Sequence, residues 1–142
     1  MGISKGSAHW EGGLKDGNGV MTPEHAPEAV YSAGSRFEGQ RGSSPEELIG
    51  AALSGCFSMA LTVGLETAGL HPKSVRTSAA VRLEREAGGF SITSIELTTE
   101  ASVPGANGEQ FQKIAEETKK GCPVSKALAA VGKITLEAKL SA

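Results

Sequence analysis

The feature that most constrains the fold is a long uncharged segment preceded by a helix-start signal. No charged residue occurs from Leu48 to Leu65. The preceding "SSPEEL" places Ser44 at an N-cap, Pro45 at the first helical position and Glu47 at the third, which is the pattern of a capping box. The sequence therefore predicts one long helix, ending just before Gly69 because glycine commonly closes a helix.

This helix also reaches the length of a membrane span. Its composition favours a core helix of a soluble protein instead, because six positions are small or hydroxylated: Gly50, Ser54, Gly55, Ser58, Thr62 and Gly64. The N-terminal "MGISKGSAHWEGG" contains no apolar segment of the kind found in signal peptides. We therefore expect a cytoplasmic protein without a membrane partner.

The rest of the chain predicts strands on both sides of the long helix. Residues 1–40 are glycine-rich and predict short strands around Trp10, Val20 and Phe37, with 22–34 as an exposed loop. The segments after the long helix are a strand over 74–86, a return strand from 90 with a bulge between Ile92 and Ile95, a helix over 109–121, a short helix after Cys122 and a strand over 133–140. This order predicts a single domain over 1–142, of the α+β class with antiparallel sheets.

Cys56 lies in the middle of the long helix. At 100° per residue it falls on an apolar stripe with Ile49, Ala52, Leu53, Met59, Ala60 and Val63. It is then either an inert core side chain or a working thiol whose thiolate requires a cation from elsewhere in the fold. A second face carries small residues and would let a partner helix approach closely, which favours a second subunit.

The second cysteine precedes a proline in "KKGCPVS". Pro123 at the first position of a short helix makes Cys122 its N-cap, where the helix dipole and the neighbouring Lys119 and Lys120 would favour a thiolate. The cysteines are 66 residues apart and the three histidines are scattered. We therefore expect neither a CxxC motif nor a metal site.

Two charged residues are candidate partners of Cys56. Glu46 lies about 80° from Cys56 around the helix, whereas Glu47 points to the opposite side and is occupied by the cap. Arg36, in a predicted strand, precedes Glu46 by ten residues. The competing charged residues nearby are Glu38 and Arg41.

Five motifs, in order, resemble the OsmC/Ohr family, and in particular its OsmC branch. They are "SAHWEG", "SRFEG" at 35–39, "SPEELIGAALSGCFSMAL" at 44–61, "VPG" at 103–105 and "GCPVSKAL" at 121–128. The resemblance covers nearly the whole chain, and the Cys56 block together with the Cys122 block is its most specific part.

One departure is Leu53, where similar members carry a histidine. Since that histidine is outside the cysteine, arginine and glutamate set, we expect the chemistry to remain.

The resemblance implies a peroxidase that reduces organic hydroperoxides, and H₂O₂ less efficiently, in oxidative stress defence. It implies Cys56 as the peroxidatic thiol and Cys122 as the resolving thiol. Arg36 would hold the Cys56 thiolate, and Glu46 would orient Arg36. It further implies an intertwined homodimer with two active sites at its interface, no bound cofactor, and recycling by an external dithiol, of lipoyl type in some members.

Two other readings of the residues stay open. A redox sensor or thiol-based binding protein would oxidise Cys56 without sustained turnover, and a dimeric fold with inert cysteines would do neither.

A net charge of −2 with scattered basic residues, and aromatic residues at 4%, argue against a nucleic-acid partner.

Overall fold

The computed structural model describes residues 2–141 and shows an α+β fold, as predicted. Its elements in chain order are β1 (Gly6–Glu11), β2 (Asn18–Pro23), β3 (Ala29–Tyr31), α1 (Ala33–Phe37), α2 (Pro45–Thr67), β4 (Ser74–Glu86), β5 (Gly89–Ser102), α3 (Gly108–Gly121), α4 (Pro123–Ala127) and β6 (Ile134–Ser141). The chain divides into two compact units, the first ending at Leu48 and the second beginning at Ile49.

The first unit contains an antiparallel sheet in the order β1-β2-β3. Trp10 of β1 packs on Tyr31 of β3 with ring centroids 5.3 Å apart. Gly19, on the strand between them, is required there because a Cβ would lie 2.8 Å from both rings. The predicted loop over 22–34 is wrong, since it contains β3, and Phe37 ends helix α1 instead of lying in a strand.

Both ends of α2 follow the sequence signals closely. The Ser44 hydroxyl accepts the backbone N–H of Glu47 at 3.1 Å, as expected of the cap, but the Glu47 carboxylate accepts from the Ser43 hydroxyl. The other predicted bond of the capping box, from the Ser44 backbone N–H to the Glu47 carboxylate, is therefore wrong. At the other end Gly69 has a φ of +82°, and the backbone N–H of Leu70 donates to the Leu65 carbonyl at 2.9 Å, a glycine-closed helix end.

The second unit contains a sheet in the order β4-β5-β6. Strands β4 and β5 form the predicted hairpin, and their register shifts between Arg82 and Leu83, opposite the predicted bulge. The last strand pairs with β5 in parallel, because α3 and α4 carry the chain back before β6 begins. One strand pair of this sheet therefore departs from the predicted antiparallel pattern.

The core of the second unit is built on one face of α2. Its fully buried side chains are spaced by four residues and pack with apolar residues of β5 and α3: Leu53, Phe57, Leu61, Leu65, Ile95, Leu97 and Phe111. Burial of each such side chain contributes about 2 kcal/mol. The helix is long and apolar enough to cross a membrane by length and composition, but this face packs against protein.

The predicted apolar stripe around Cys56 is not the core face. Met59 is 74% exposed and Val63 is 61% exposed, and Cys56 itself is half-buried. The large side chains of Phe57 and Leu61 decide which face turns inward. Cys56 thus lies at the edge between the core face and an exposed apolar face of α2.

Candidate active site

The local fold around Cys122 places its sulfur among hydrogen-bond donors. Cys122 closes α3, with its N–H donating to the Thr118 carbonyl at 3.0 Å, and it is also the N-cap of α4. Its Sγ accepts the backbone N–H of Ser125 at 3.4 Å and lies 3.2 Å from the Ser125 hydroxyl oxygen. The predicted N-cap is therefore confirmed, and Pro123 occupies the first position as expected.

The two cysteines, 66 residues apart in sequence, meet in the second unit. Cys56 packs against the core cluster that contains Cys122, and each thiol contributes to the pKa of the other. Both cysteines are free thiols. Cys122 is 1% exposed, whereas Cys56 is half-buried, so the two sulfurs form a pair of which Cys56 is the more accessible member.

The surroundings of the two thiols move their pKa values in opposite directions. Burial raises the pKa of Cys56, and its contact with Cys122 adds to the increase, against the opposing hydrogen bond from Val124. Burial also acts to raise the pKa of Cys122, but the hydrogen bonds from Ser125, Cys56 and Val124 together outweigh it, so the pKa of Cys122 is lowered. Within one chain, Cys122 is the more acidic thiol.

The lysines that precede Cys122 are not the cause of its acidity. The hydrogen bonds at its sulfur account for the lowered pKa, and the Lys119 ammonium instead pairs with Glu116 at 3.3 Å. The prediction of a thiolate-favouring N-cap was therefore right in its position, but wrong in giving Lys119 and Lys120 a part in it.

Arg36 and Glu46 form an ion pair in the first unit. Arg36 lies on α1, not on the predicted strand. Its Nε donates to both carboxylate oxygens of Glu46 at 3.1 Å, and its Nη2 donates to one of them. The guanidinium also lies over the Phe37 ring, 5.3 Å from its centroid. Such a fork orients the arginine, and Glu46 is 7% exposed, so its carboxylate is largely shielded from water.

The neighbouring charges have other contacts. The Glu38 carboxylate accepts from the side-chain amide of Gln40 at 3.0 Å, and Glu47 bonds Ser43. Leu53, the position at which the chain departs from the family pattern, is 0% exposed and lies in the core. The side chain of Leu53 therefore fills the core and does not set the polarity of an open pocket.

Ser125 is the site residue that the sequence reasoning missed. A signal for it exists in "CPVS", because the third residue after an N-cap places its N–H, and here also its hydroxyl, toward the cap side chain. A groove of about 340 Å³ also borders Cys122, lined in part by Ala60, Val63 and Thr118. Across residues 2–141, no group of three His, Cys, Asp or Glu side chains is arranged to hold a metal ion.

Comparisons with known proteins identify the family of the chain. Residues 37–137 match the family model described as OsmC-like protein. The chain is 46% identical over 138 residues to the peroxiredoxin OsmC of Escherichia coli K12, covering 96% of this chain and 95% of that protein.

Solved structures share the fold. An OsmC-like protein from Mycoplasma pneumoniae superposes with a TM-score of 0.76 at 14% identity, covering 99% of both chains. An organic hydroperoxide resistance protein from Elizabethkingia anophelis, with thiocyanate bound, superposes with a TM-score of 0.68 at 26% identity, covering 99% of this chain and 97% of that one. The chain therefore belongs to the OsmC family and is a redox enzyme of the peroxidase type.

Proposed function

We propose that the protein reduces organic hydroperoxides to alcohols, and H₂O₂ less efficiently, by a two-cysteine cycle in oxidative stress defence. The observation that carries this proposal is the juxtaposition of the two cysteines: Cys56 packs against the core cluster that contains Cys122, and each thiol affects the pKa of the other. The name of the Elizabethkingia anophelis protein, organic hydroperoxide resistance protein, supports the choice of substrate class.

The chemistry proceeds in two steps within the protein. The Cys56 thiolate attacks the terminal oxygen of the hydroperoxide, the O–O bond breaks, and the alkoxide leaves and takes a proton to become the alcohol. Cys56 is then a sulfenic acid. The Cys122 thiolate attacks the Cys56 sulfur and expels hydroxide, which forms a disulfide. The lowered pKa of Cys122 favours this second step, because the resolving sulfur is already ionised at lower pH.

Cys56 requires a cation for the first step, because burial raises the pKa of its thiol. In our proposal Arg36 supplies that charge and stabilises the leaving alkoxide, with Glu46 holding the guanidinium in place. We further propose that the protein is a homodimer with its active sites at the subunit interface, and that the Arg36 serving each Cys56 comes from the partner subunit. The dimer-interface sites that the family resemblance implies support this assignment.

The substrate and the reductant follow from the surroundings of Cys56. Met59 and Val63, which lie one and two turns along α2, are exposed apolar side chains that suit the carbon part of an organic hydroperoxide. The disulfide is reduced by an external dithiol, of lipoyl type, and the cycle needs no bound cofactor.

Steady-state kinetics test the function. We expect continuous loss of cumene hydroperoxide with dihydrolipoamide as reductant, and no turnover by the Cys56→Ser variant. Oxidation of the thiols without sustained consumption with any dithiol would instead favour a redox sensor, and activity of Cys56→Ser equal to that of the unmodified protein would refute the role of Cys56.

A complementation experiment tests the shared site. Arg36→Ala and Cys56→Ser chains are co-expressed with different tags, and the mixed dimer is purified. If Arg36 acts on the partner's Cys56, each mixed dimer regains one complete site and about half of the activity of the unmodified dimer. A mixed dimer as inactive as its parents would place both residues of a site in one chain or exclude Arg36.

A further inference from the structure

We propose that Ser125 decides which sulfur of the oxidised protein the external dithiol attacks, so that the reductant bonds to Cys56 and Cys122 is the sulfur that leaves. This inference rests on the two-cysteine cycle proposed above. It concerns the recycling half of that cycle and gives Ser125 a role as hydrogen-bond donor to the leaving sulfur.

The groups around Cys122 Sγ form a preorganised site for a thiolate anion. Ser125 offers two donors to one sulfur, its backbone N–H at 3.4 Å and its hydroxyl at 3.2 Å. Ser125 is 6% exposed and Cys122 is 1% exposed, so water does not compete for these contacts. Hydrogen bonds to a charged acceptor in such surroundings are stronger than those to a neutral one.

Cys56 lacks this support on its own chain. Its sulfur receives the backbone N–H of Val124, but burial prevails and raises its pKa, whereas the hydrogen bonds at Cys122 lower the pKa of that thiol. In thiol–disulfide exchange the sulfur of lower pKa leaves faster. Attack at Cys56 therefore expels Cys122, the sulfur that lies beside two hydrogen-bond donors of Ser125.

The accessibility of the two sulfurs also favours attack at Cys56. Cys56 is half-buried and lies beside the exposed face of α2 that carries Met59. A groove lined in part by Ala60 and Thr118 does border Cys122, but the residue is almost wholly covered. Within one chain, Cys56 is thus the more accessible of the two sulfurs.

The exchange transfers the disulfide bond from the protein to the dithiol in two steps. A thiolate of the dithiol attacks Cys56 Sγ, a bond forms between these two sulfurs, and the Cys56–Cys122 bond breaks with its electron pair passing to Cys122 Sγ. Ser125 holds the resulting Cys122 thiolate. The second thiol of the reductant, as its thiolate, then attacks the reductant sulfur that is bonded to Cys56. This step releases Cys56 as a thiolate and leaves the reductant as a cyclic disulfide. The dithiol is oxidised by two electrons and the protein disulfide is reduced by two.

The unmodified protein provides the first test. The purified full-length chain is oxidised with diamide, which forms the disulfide without any peroxide, and is then mixed with the monothiol 2-mercaptoethanol. Samples are quenched in acid at the earliest times, and the adduct is located by mass spectrometry. We expect the adduct on Cys56. An adduct mainly on Cys122 would overturn the inference and leave the peroxidase proposal intact, whereas failure of diamide to form a Cys56–Cys122 disulfide would contradict the two-cysteine cycle itself.

Variants of Ser125 provide the second test. Ser125→Ala should slow the reduction of the disulfide by dithiothreitol by up to about tenfold, because one of two donors to the leaving sulfur is lost. It should also move the thiolate absorbance of Cys122 at 240 nm, measured in the Cys56→Ser background, to higher pH. Ser125→Thr, which keeps the hydroxyl, should restore both.

A matched control separates this role from a purely structural one. Ser141 is a half-buried serine whose hydroxyl donates to the Ala101 carbonyl at 3.1 Å and not to a sulfur. Ser141→Ala should change neither the reduction rate nor the thiolate absorbance. Equal rates and equal absorbance curves for Ser125→Ala and Ser141→Ala would refute the role of Ser125.

Discussion

Replacing Glu46 by glutamine tests whether the ion pair with Arg36 serves catalysis as well as folding. The carboxylate accepts from the Arg36 guanidinium at both of its oxygens. Glutamine keeps one acceptor oxygen, loses the negative charge and turns an NH₂ group toward the arginine donors. The neighbouring Glu47 is a matched control, because it is exposed and its carboxylate contacts only the Ser43 hydroxyl among the hydrogen bonds of the described residues.

The expected loss follows from the burial of the pair. A hydrogen bond to a charged group contributes about 1.5–3 kcal/mol, and the Arg36 side chain is 35% exposed while that of Glu46 is 9% exposed. We therefore expect Glu46→Gln to lower the free energy of unfolding by about 2 kcal/mol, in the middle of that range. Glu47→Gln should change it by less than about 0.5 kcal/mol, as is usual for exposed positions.

Activity should separate the two variants further. If Glu46 orients the arginine that activates Cys56, the second-order rate constant for cumene hydroperoxide should fall at least about tenfold in Glu46→Gln, since a mispositioned charge no longer matches the transition state. Urea unfolding gives the stability and stopped-flow mixing gives the rate. Equal peroxide rates for Glu46→Gln and Glu47→Gln, with the Glu46 variant folded, would refute the proposed role of the pair.

Three further predictions concern the thiols and the core. Arg36→Ala should slow peroxide attack about 10²-fold at neutral pH. Because no cation then offsets the raised pKa of Cys56, the rate of this variant should recover only at higher pH. A pH–rate profile that does not shift would exclude Arg36. Cys122→Ser should reduce about one equivalent of hydroperoxide and then stall, which a burst experiment checks; sustained turnover with a dithiol at the rate of the unmodified protein would remove Cys122 from the cycle. Leu53→Ala should lower the free energy of unfolding by about 3 kcal/mol, as Leu53 is fully buried, and a loss below about 1 kcal/mol in urea would contradict its place in the core.

Local signals in the sequence were enough to place the long helix and the hairpin. The cap at Ser44 and the stop at Gly69 act within a few residues, so they can be read without knowing the fold. The same holds for Cys122 as an N-cap, because Pro123 and the following turn determine it. The bulge near Ile92 was also visible, since a change of apolar phase within one strand requires an extra residue.

Features that depend on distant parts of the chain were harder to predict. The stripe through Met59 and Val63 is apolar in sequence, but the sheet packs against the larger side chains of Phe57 and Leu61. Which apolar face of α2 is buried therefore depends on the tertiary fold. The sequence around Arg36 predicts a strand, because a five-residue helix has little periodicity. The contribution of Ser125 depends on its hydroxyl lying beside the Cys122 sulfur, which is a feature of the folded chain.

The central claim is that Cys56 reacts with the hydroperoxide and Cys122 resolves the product. The most direct measurement is a stopped-flow record of thiol loss after mixing the reduced protein with cumene hydroperoxide or H₂O₂, followed by disulfide mapping with mass spectrometry. The account predicts rapid stoichiometric oxidation, faster with the organic peroxide, ending in a Cys56–Cys122 disulfide. Thiols that remain intact in the folded protein would contradict it and would make Cys56 a packing residue of α2.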